Sequence, residues 1–117
     1  MTDRTASTAR TAEQTVRAQL DAFNAHDLGA FVATYAADAV IVGVAPEPLV
    51  GTEQIHSFYE PRLQNPALSC EIERTVLFGD RWVVAQEQVV NAGVATETIA
   101  TFDVIDGLIR RASMLKA

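Results

Sequence analysis

The chain changes period at Asn65-Pro66. Before this point apolar residues recur at helical spacing. After it, β-branched and aromatic residues run in stretches divided only by Gly79-Asp80, Asn91-Ala-Gly93 and Asp106-Gly107. A proline biases the residue before it away from the helical region, so Asn65-Pro66 is a helix stop. Breaks of two or three residues can join only antiparallel neighbours, because a parallel crossover needs a dozen residues or more. The spacing therefore predicts strands over 70–78, 82–90, 95–105 and 108–116, laid out as a meander.

The first part of the chain carries three helical signals. Thr11-Ala-Glu-Gln14 fits a capping box, in which the Thr11 hydroxyl takes the third amide and the Gln14 side chain reaches back. Val16, Leu20 and Phe23 then share one helical face. Asn24-Ala-His-Asp27 interrupts, and Asp27 is placed to cap a second short helix running through Tyr35 on Leu28, Phe31 and Val32. Residues 39–44 read as a first strand, broken by Pro46-Glu-Pro48. Gly51-Thr52 opens a third helix with Glu53 in its first turn and Ile55, Phe58 and Tyr59 as its buried stripe. Three helices with one interposed strand, leading into a meander, define an α+β layout with helices on one face of a curved sheet.

Size and charge limit what such a domain does. The 117 residues, 49% of them hydrophobic, suffice for a single core, expected over 11–117 behind a flexible tail at 1–10. Nine basic against fifteen acidic residues give a net charge of −6, which repels phosphate backbones and anionic lipid and argues against nucleic-acid or membrane partners. No apolar run approaches the roughly 20 residues of a membrane span, and the first ten residues lack the apolar segment of a secretory signal. One cysteine, Cys70, excludes an internal disulfide and suits a reducing, cytoplasmic setting.

The stretch 20–41, LDAFNAHDLGAFVATYAADAVI, resembles the opening of the nuclear transport factor 2-like superfamily, and Gly51-Thr-Glu-Gln-Ile-His-Ser-Phe-Tyr59 resembles its third-helix motif. Glu47-Pro48 ahead of Gly51, and the C-terminal strands ending in Asp106-Gly-Leu-Ile-Arg110, are similar to the ketosteroid isomerase and SnoaL-like polyketide cyclase branch. The resemblance implies a cone: a strongly curved mixed sheet wrapped around three helices, with a ligand pocket inside and an outer sheet face used for homodimerisation. It also implies an isomerase, cyclase or hydratase working without cofactor or metal on a largely apolar ligand, or a non-catalytic binding module on the same scaffold.

Ketosteroid isomerase chemistry needs a carboxylate base and two acidic donors facing the dienolate oxygen. The resemblance places Gly43 at the base position, and Gln19 and Ala100 at the two donor positions, so that activity is not expected. Tyr35 and Tyr59 match positions behind the missing tyrosine, and with Gln19 they form an expected polar cluster for orienting a ligand oxygen.

Glu87 is the remaining candidate for proton transfer. Alternation puts Val83, Ala85, Glu87 and Val89 on one strand face, and the resemblance makes that face the inner one. Continuing the same alternation over Cys70, Ile72, Arg74, Val76 and Phe78 brings Arg74 beside Glu87, as a pocket anchor or a structural ion pair. Phe102 and Met114 sit at core periodicity and are expected to line the cone as well. Trp82, Val84, Ile99 and Ile109 are expected on the outer face, as the dimer surface. His26 and His56 have no partners at metal-ligand spacing, and Cys70 reads as a small buried hydrophobe.

Overall fold

The computed structural model describes residues 9–117. The expected N-terminal tail therefore falls, for residues 1–8, outside the described residues. Helix α1 (Ala12–Asn24) begins with the predicted capping box: Thr11 Oγ1 accepts from the Gln14 amide at 3.1 Å, and Gln14 Oε1 accepts from the Thr11 amide at 2.9 Å. A third acceptor comes from the far side of the fold, where Asp80 Oδ1 takes the Ala12 amide at 3.0 Å. The acidic turn between two strands thus also caps this helix, at the end where its dipole favours negative charge.

Helix α2 (Leu28–Val32) is capped by Asp27, whose carboxylate accepts from Ala30 N at 3.1 Å. It stops earlier than the periodicity predicts. Thr34 turns its hydroxyl back onto the Phe31 carbonyl at 2.7 Å, and Tyr35 already begins strand β1 (Tyr35–Val42), paired with Ile109. Strand pairing with the C-terminal strand overrides the helical spacing of Tyr35. A two-residue strand β2 (Leu49–Val50), which the sequence pattern does not signal, leads into helix α3 (Gly51–Leu63), and the helix ends just before Asn65-Pro66.

Strands β3 (Leu68–Phe78), β4 (Trp82–Asn91), β5 (Val94–Ile105) and β6 (Leu108–Lys116) form the predicted meander. The six-stranded sheet has the order β2-β1-β6-β5-β4-β3, antiparallel except where β1 runs parallel to β6. This is the expected mixed α+β sheet curving around three helices. Phe31 is fully buried at its centre, with the rings of Tyr59, Tyr35 and Phe23 centred 4.6, 5.5 and 6.0 Å away.

Of the three register shifts in the sheet, the two in the meander overturn two expectations. Ile72 pairs with Glu87 but Arg74 pairs with Gln86, so Glu73 is an extra residue on β3. Asp103 pairs with Arg111 but Val104 pairs with Ile109, so Arg110 is an extra residue on β6. Each bulge shifts the alternation by one, which exchanges the inner and outer faces beyond it. Arg74 therefore points outward with Gln86 and is exposed, rather than facing Glu87. Ile109, expected on the outer face, is instead completely buried in the core.

No helix among the described residues is long and apolar enough to cross a membrane.

Candidate functional site

Rows of inward-facing residues run across the sheet, and their order fixes the depth of each candidate. One row is Ile72, Glu87, Thr98 and Lys116; the next holds Ala85, Ala100 and Met114; the one beyond holds Val83, Phe102 and Ala112. A cavity of about 640 Å³ opens between the inner sheet and helix α3 on the Glu87 side of this series. Its wall includes Val89, Thr98 and Met114 from the sheet, Tyr59 from α3 and Phe23 from α1. The volume lies within the ordinary range for small-molecule pockets.

Glu87 reaches the inside of the cone, as the alternation of β4 predicts, and is only 5% exposed. It lies beneath the cavity wall, next to Thr98. Its carboxyl accepts one weak hydrogen bond, from Cys70 Sγ at 3.5 Å, and no ion pair reaches it among the described residues. Removal from water without a compensating cation pushes its pKa above the usual carboxylate value, and the thiol offsets this only in part. The Cys70 thiol is itself pushed far up, first by burial and then by the neighbouring Glu87 charge. The sequence pattern marks Cys70 only as a small buried hydrophobe; the signal for more is that it shares a strand face with Ile72, which stands opposite Glu87.

Above this pair stand the two tyrosines. Tyr35 is buried, and Gln19 Nε2 donates to its hydroxyl at 3.2 Å. Burial raises the Tyr35 pKa first, with Tyr59 adding to the rise, the Gln19 hydrogen bond opposing it and Glu87 contributing least. Tyr59 is raised by burial as well, partly opposed by Arg62 and reinforced by Glu87. Gln19, Tyr35, Tyr59, Cys70 and Glu87 therefore form one polar cluster in an apolar shell. Within it Tyr59 forms part of the cavity wall, whereas Gln19 and Tyr35 lie behind that wall, occupied with each other.

The remaining expectations divide. Met114 lines the cavity, but Phe102 does not: it is fully buried one row deeper, where it fills the core. Arg74 is outside altogether. Gly43 does more than lack a carboxylate. Its φ is +94°, and a Cβ there would fall 2.0 Å from the Met114 carbonyl oxygen, so backbone closes the position to any side chain. Ala100 is fully buried between Ala85 and Met114.

A positioning residue absent from the sequence reading is Asn24. Its side chain brackets Cys70, with Nδ2 donating to the Cys70 carbonyl and Oδ1 accepting from the Cys70 amide, both at 2.8 Å. Next to it His26, at φ 58°, places Nε2 2.8 Å from the Leu68 carbonyl. The turn that interrupts the helical pattern thus holds the start of β3, and with it the thiol beside Glu87.

A curved mixed sheet closed by three helices, with a polar cluster beneath a cavity at its open end, defines the nuclear transport factor 2-like, or cystatin-like, class of fold. The chain belongs to the SnoaL-like domain family, whose model matches residues 16–112. Among solved structures it is similar to an NTF2-like protein of unknown function from Cytophaga hutchinsonii, at 13% identity over 92% of this chain and 90% of that one, TM-score 0.79. It is similar also to a SnoaL-like protein of unknown function from Burkholderia thailandensis, at 28% identity over 91% and 93%, TM-score 0.74. A third is a Mycobacterium tuberculosis protein solved in complex with estradiol-17β-hemisuccinate, at 19% identity over 90% and 93%, TM-score 0.78. No curated protein matches the chain.

Proposed function

We infer that this SnoaL-like protein binds a largely apolar small molecule in its cone and moves a proton on it, with Glu87 as the proton carrier. The observation behind this reading is a carboxyl 5% exposed, joined only to a thiol, at the level where the cavity meets the core. A carboxylate there is a stronger base than one in water, because burial disfavours its charged form. The chemistry that fits is enolisation. Glu87 takes a proton from the carbon next to a ligand carbonyl, the electron pair moves onto the carbonyl oxygen, Tyr59 donates a hydrogen bond to that oxygen, and the proton returns to the same carbon or, where a conjugated double bond makes the intermediate a dienolate, to its far end. Gln19 and Tyr35 act behind Tyr59, as supports rather than ligand contacts. Steroid binding by the mycobacterial structural relative is consistent with an apolar occupant for such a cone.

A purely binding role is the second reading. It is favoured by the closure of the Gly43 position by backbone and by the absence of Glu87 from the residues that line the cavity. The two readings separate in D2O. With an enolisable apolar ketone, proton transfer gives deuterium exchange at the α-carbon that falls by about 100-fold or more in Glu87→Gln. Binding that persists in both proteins, without exchange in either, would remove Glu87 from chemistry and leave a binding module.

Homodimerisation belongs to the same reading. Trp82 and Ile99 are 43% and 42% exposed on the outer face with Val84 between their rows, and Phe78 and Leu115 extend the patch. An apolar sheet face of this kind fits a second copy of the chain, in a cytoplasm that keeps Cys70 reduced.

A further inference from the structure

The charge around the cavity runs against the charge of the chain. Acids outnumber bases fifteen to nine overall, yet the cavity is bordered by two cations, Arg62 and Lys116, and by no acidic side chain. Both cations are exposed. The ion pairs among the described residues are Arg81 with Asp103 and Arg110 with Asp38, so neither cavity cation is neutralised by an acid.

The Arg62 head is held by an aromatic ring, and the Lys116 backbone is fixed by strand pairing. The Arg62 guanidinium carbon lies 4.1 Å from the centre of the Phe58 ring, which fixes the head at the rim while leaving its N–H edges open. Lys116 is the chain's single lysine, and it stands opposite Thr98, which stands opposite Glu87. Two strand spacings of about 4.8 Å put the Lys116 backbone roughly 10 Å from that of Glu87. The same wall includes the apolar side chains of Val44, Val89 and Met114, and Tyr59 from α3.

We propose that the ligand of this cone is an amphipathic organic anion: an apolar body inside, a carboxylate or equivalent oxyanion at the rim between Arg62 and Lys116, and its neutral polar group towards Tyr59. The opposite orientation would set the anion against Glu87 in a low-dielectric interior. Charge therefore selects both the class of ligand and its direction of entry. The proposal rests on the reading of the cone as a ligand site and adds the ligand's charge.

The test uses two probe pairs, dodecanoate and 2-naphthaleneacetate, each compared with its methyl ester. Binding is followed by NMR at the Met114 methyl group and by titration calorimetry. Each acid is expected to bind about 5-fold or more tightly than its ester, since two partly exposed ion pairs contribute modestly each. In Arg62→Gln/Lys116→Gln, and in wild type at 0.5 M NaCl, this advantage disappears while the esters bind as before. Equal binding of acid and ester, or an advantage that survives the double variant, overturns the anion proposal and leaves the cone reading intact. If neither member of either pair perturbs Met114 in wild type, the cone reading falls, and the proposal with it.

Discussion

Cys70 Sγ and Glu87 Oε1 lie 3.5 Å apart inside the cone, a weak donor facing a carboxyl that burial has raised above its usual pKa. The two come from neighbouring strands but from different rows: Glu87 stands opposite Ile72, and Cys70 stands opposite Val89, two residues along each strand. A thiol is a poor substitute for solvent, so the fold favours the acid form of Glu87 more than water does.

This sets the sign of a pH effect. Because the folded pKa of Glu87 is raised, the stability tied to its acid form is fully present below the ordinary carboxylate value of 4.5 and is lost as pH rises through the folded value. Glu87→Gln is neutral throughout and does not suffer that loss. Urea unfolding from pH 4 to 8 should show the variant gaining on wild type as pH rises. Parallel profiles would mean that Glu87 is not desolvated.

Gly43 should tolerate no side chain. Gly43→Ala puts a Cβ onto the Met114 carbonyl at a left-handed φ, and is expected to cost about 3 kcal/mol or more by chemical denaturation. Gly43→Asp, which would restore a carboxylate at the isomerase base position, should fare no better and should not create isomerase activity. A stable, well-folded Gly43→Asp would show that the backbone can yield there.

Asn24 should matter through Cys70. Asn24→Leu removes both hydrogen bonds to the Cys70 backbone, at an expected cost of about 2 kcal/mol. Amide exchange at Cys70 should accelerate beyond what global destabilisation explains. A loss below about 0.5 kcal/mol would place the turn outside the cooperative fold.

The two isoleucines predicted for one surface should behave differently. Ile109→Ala opens a core cavity and should cost about 3 kcal/mol irrespective of protein concentration. Ile99→Arg, on the exposed face, should leave monomer stability nearly unchanged and abolish dimers in sedimentation experiments. If wild type sediments as a monomer at micromolar concentration, the outer face has another use.

These contrasts also locate what the sequence could reveal. Caps at Thr11 and Asp27, the stop at Asn65-Pro66 and the three tight turns are local chemistry, and each is found where the sequence places it. Glu87 was legible because β4 pairs without interruption along its whole length with β5, keeping period two intact. Arg74 and Ile109 were misplaced for one shared reason: alternation was continued through Glu73 and Arg110, neither of which is a glycine or carries any other local mark of a bulge. Phe102 was placed on the correct face but not at a depth, because period gives orientation and only the closed cone gives distance from its mouth. The spacing of Tyr35 is helical, and its pairing with Ile109 overrides that spacing.

The extra residue at Glu73 has a use beyond the misreading it causes. Residues on either side of it keep their faces: Ile72 stays with Glu87, and Arg74 stays with Gln86. Deleting Glu73 would thus leave every lining side chain assigned as before and remove only bend from the strand. Aperture and lining are then separable traits in this scaffold, so the cone can be widened or narrowed for a different occupant without exchanging any residue that touches it.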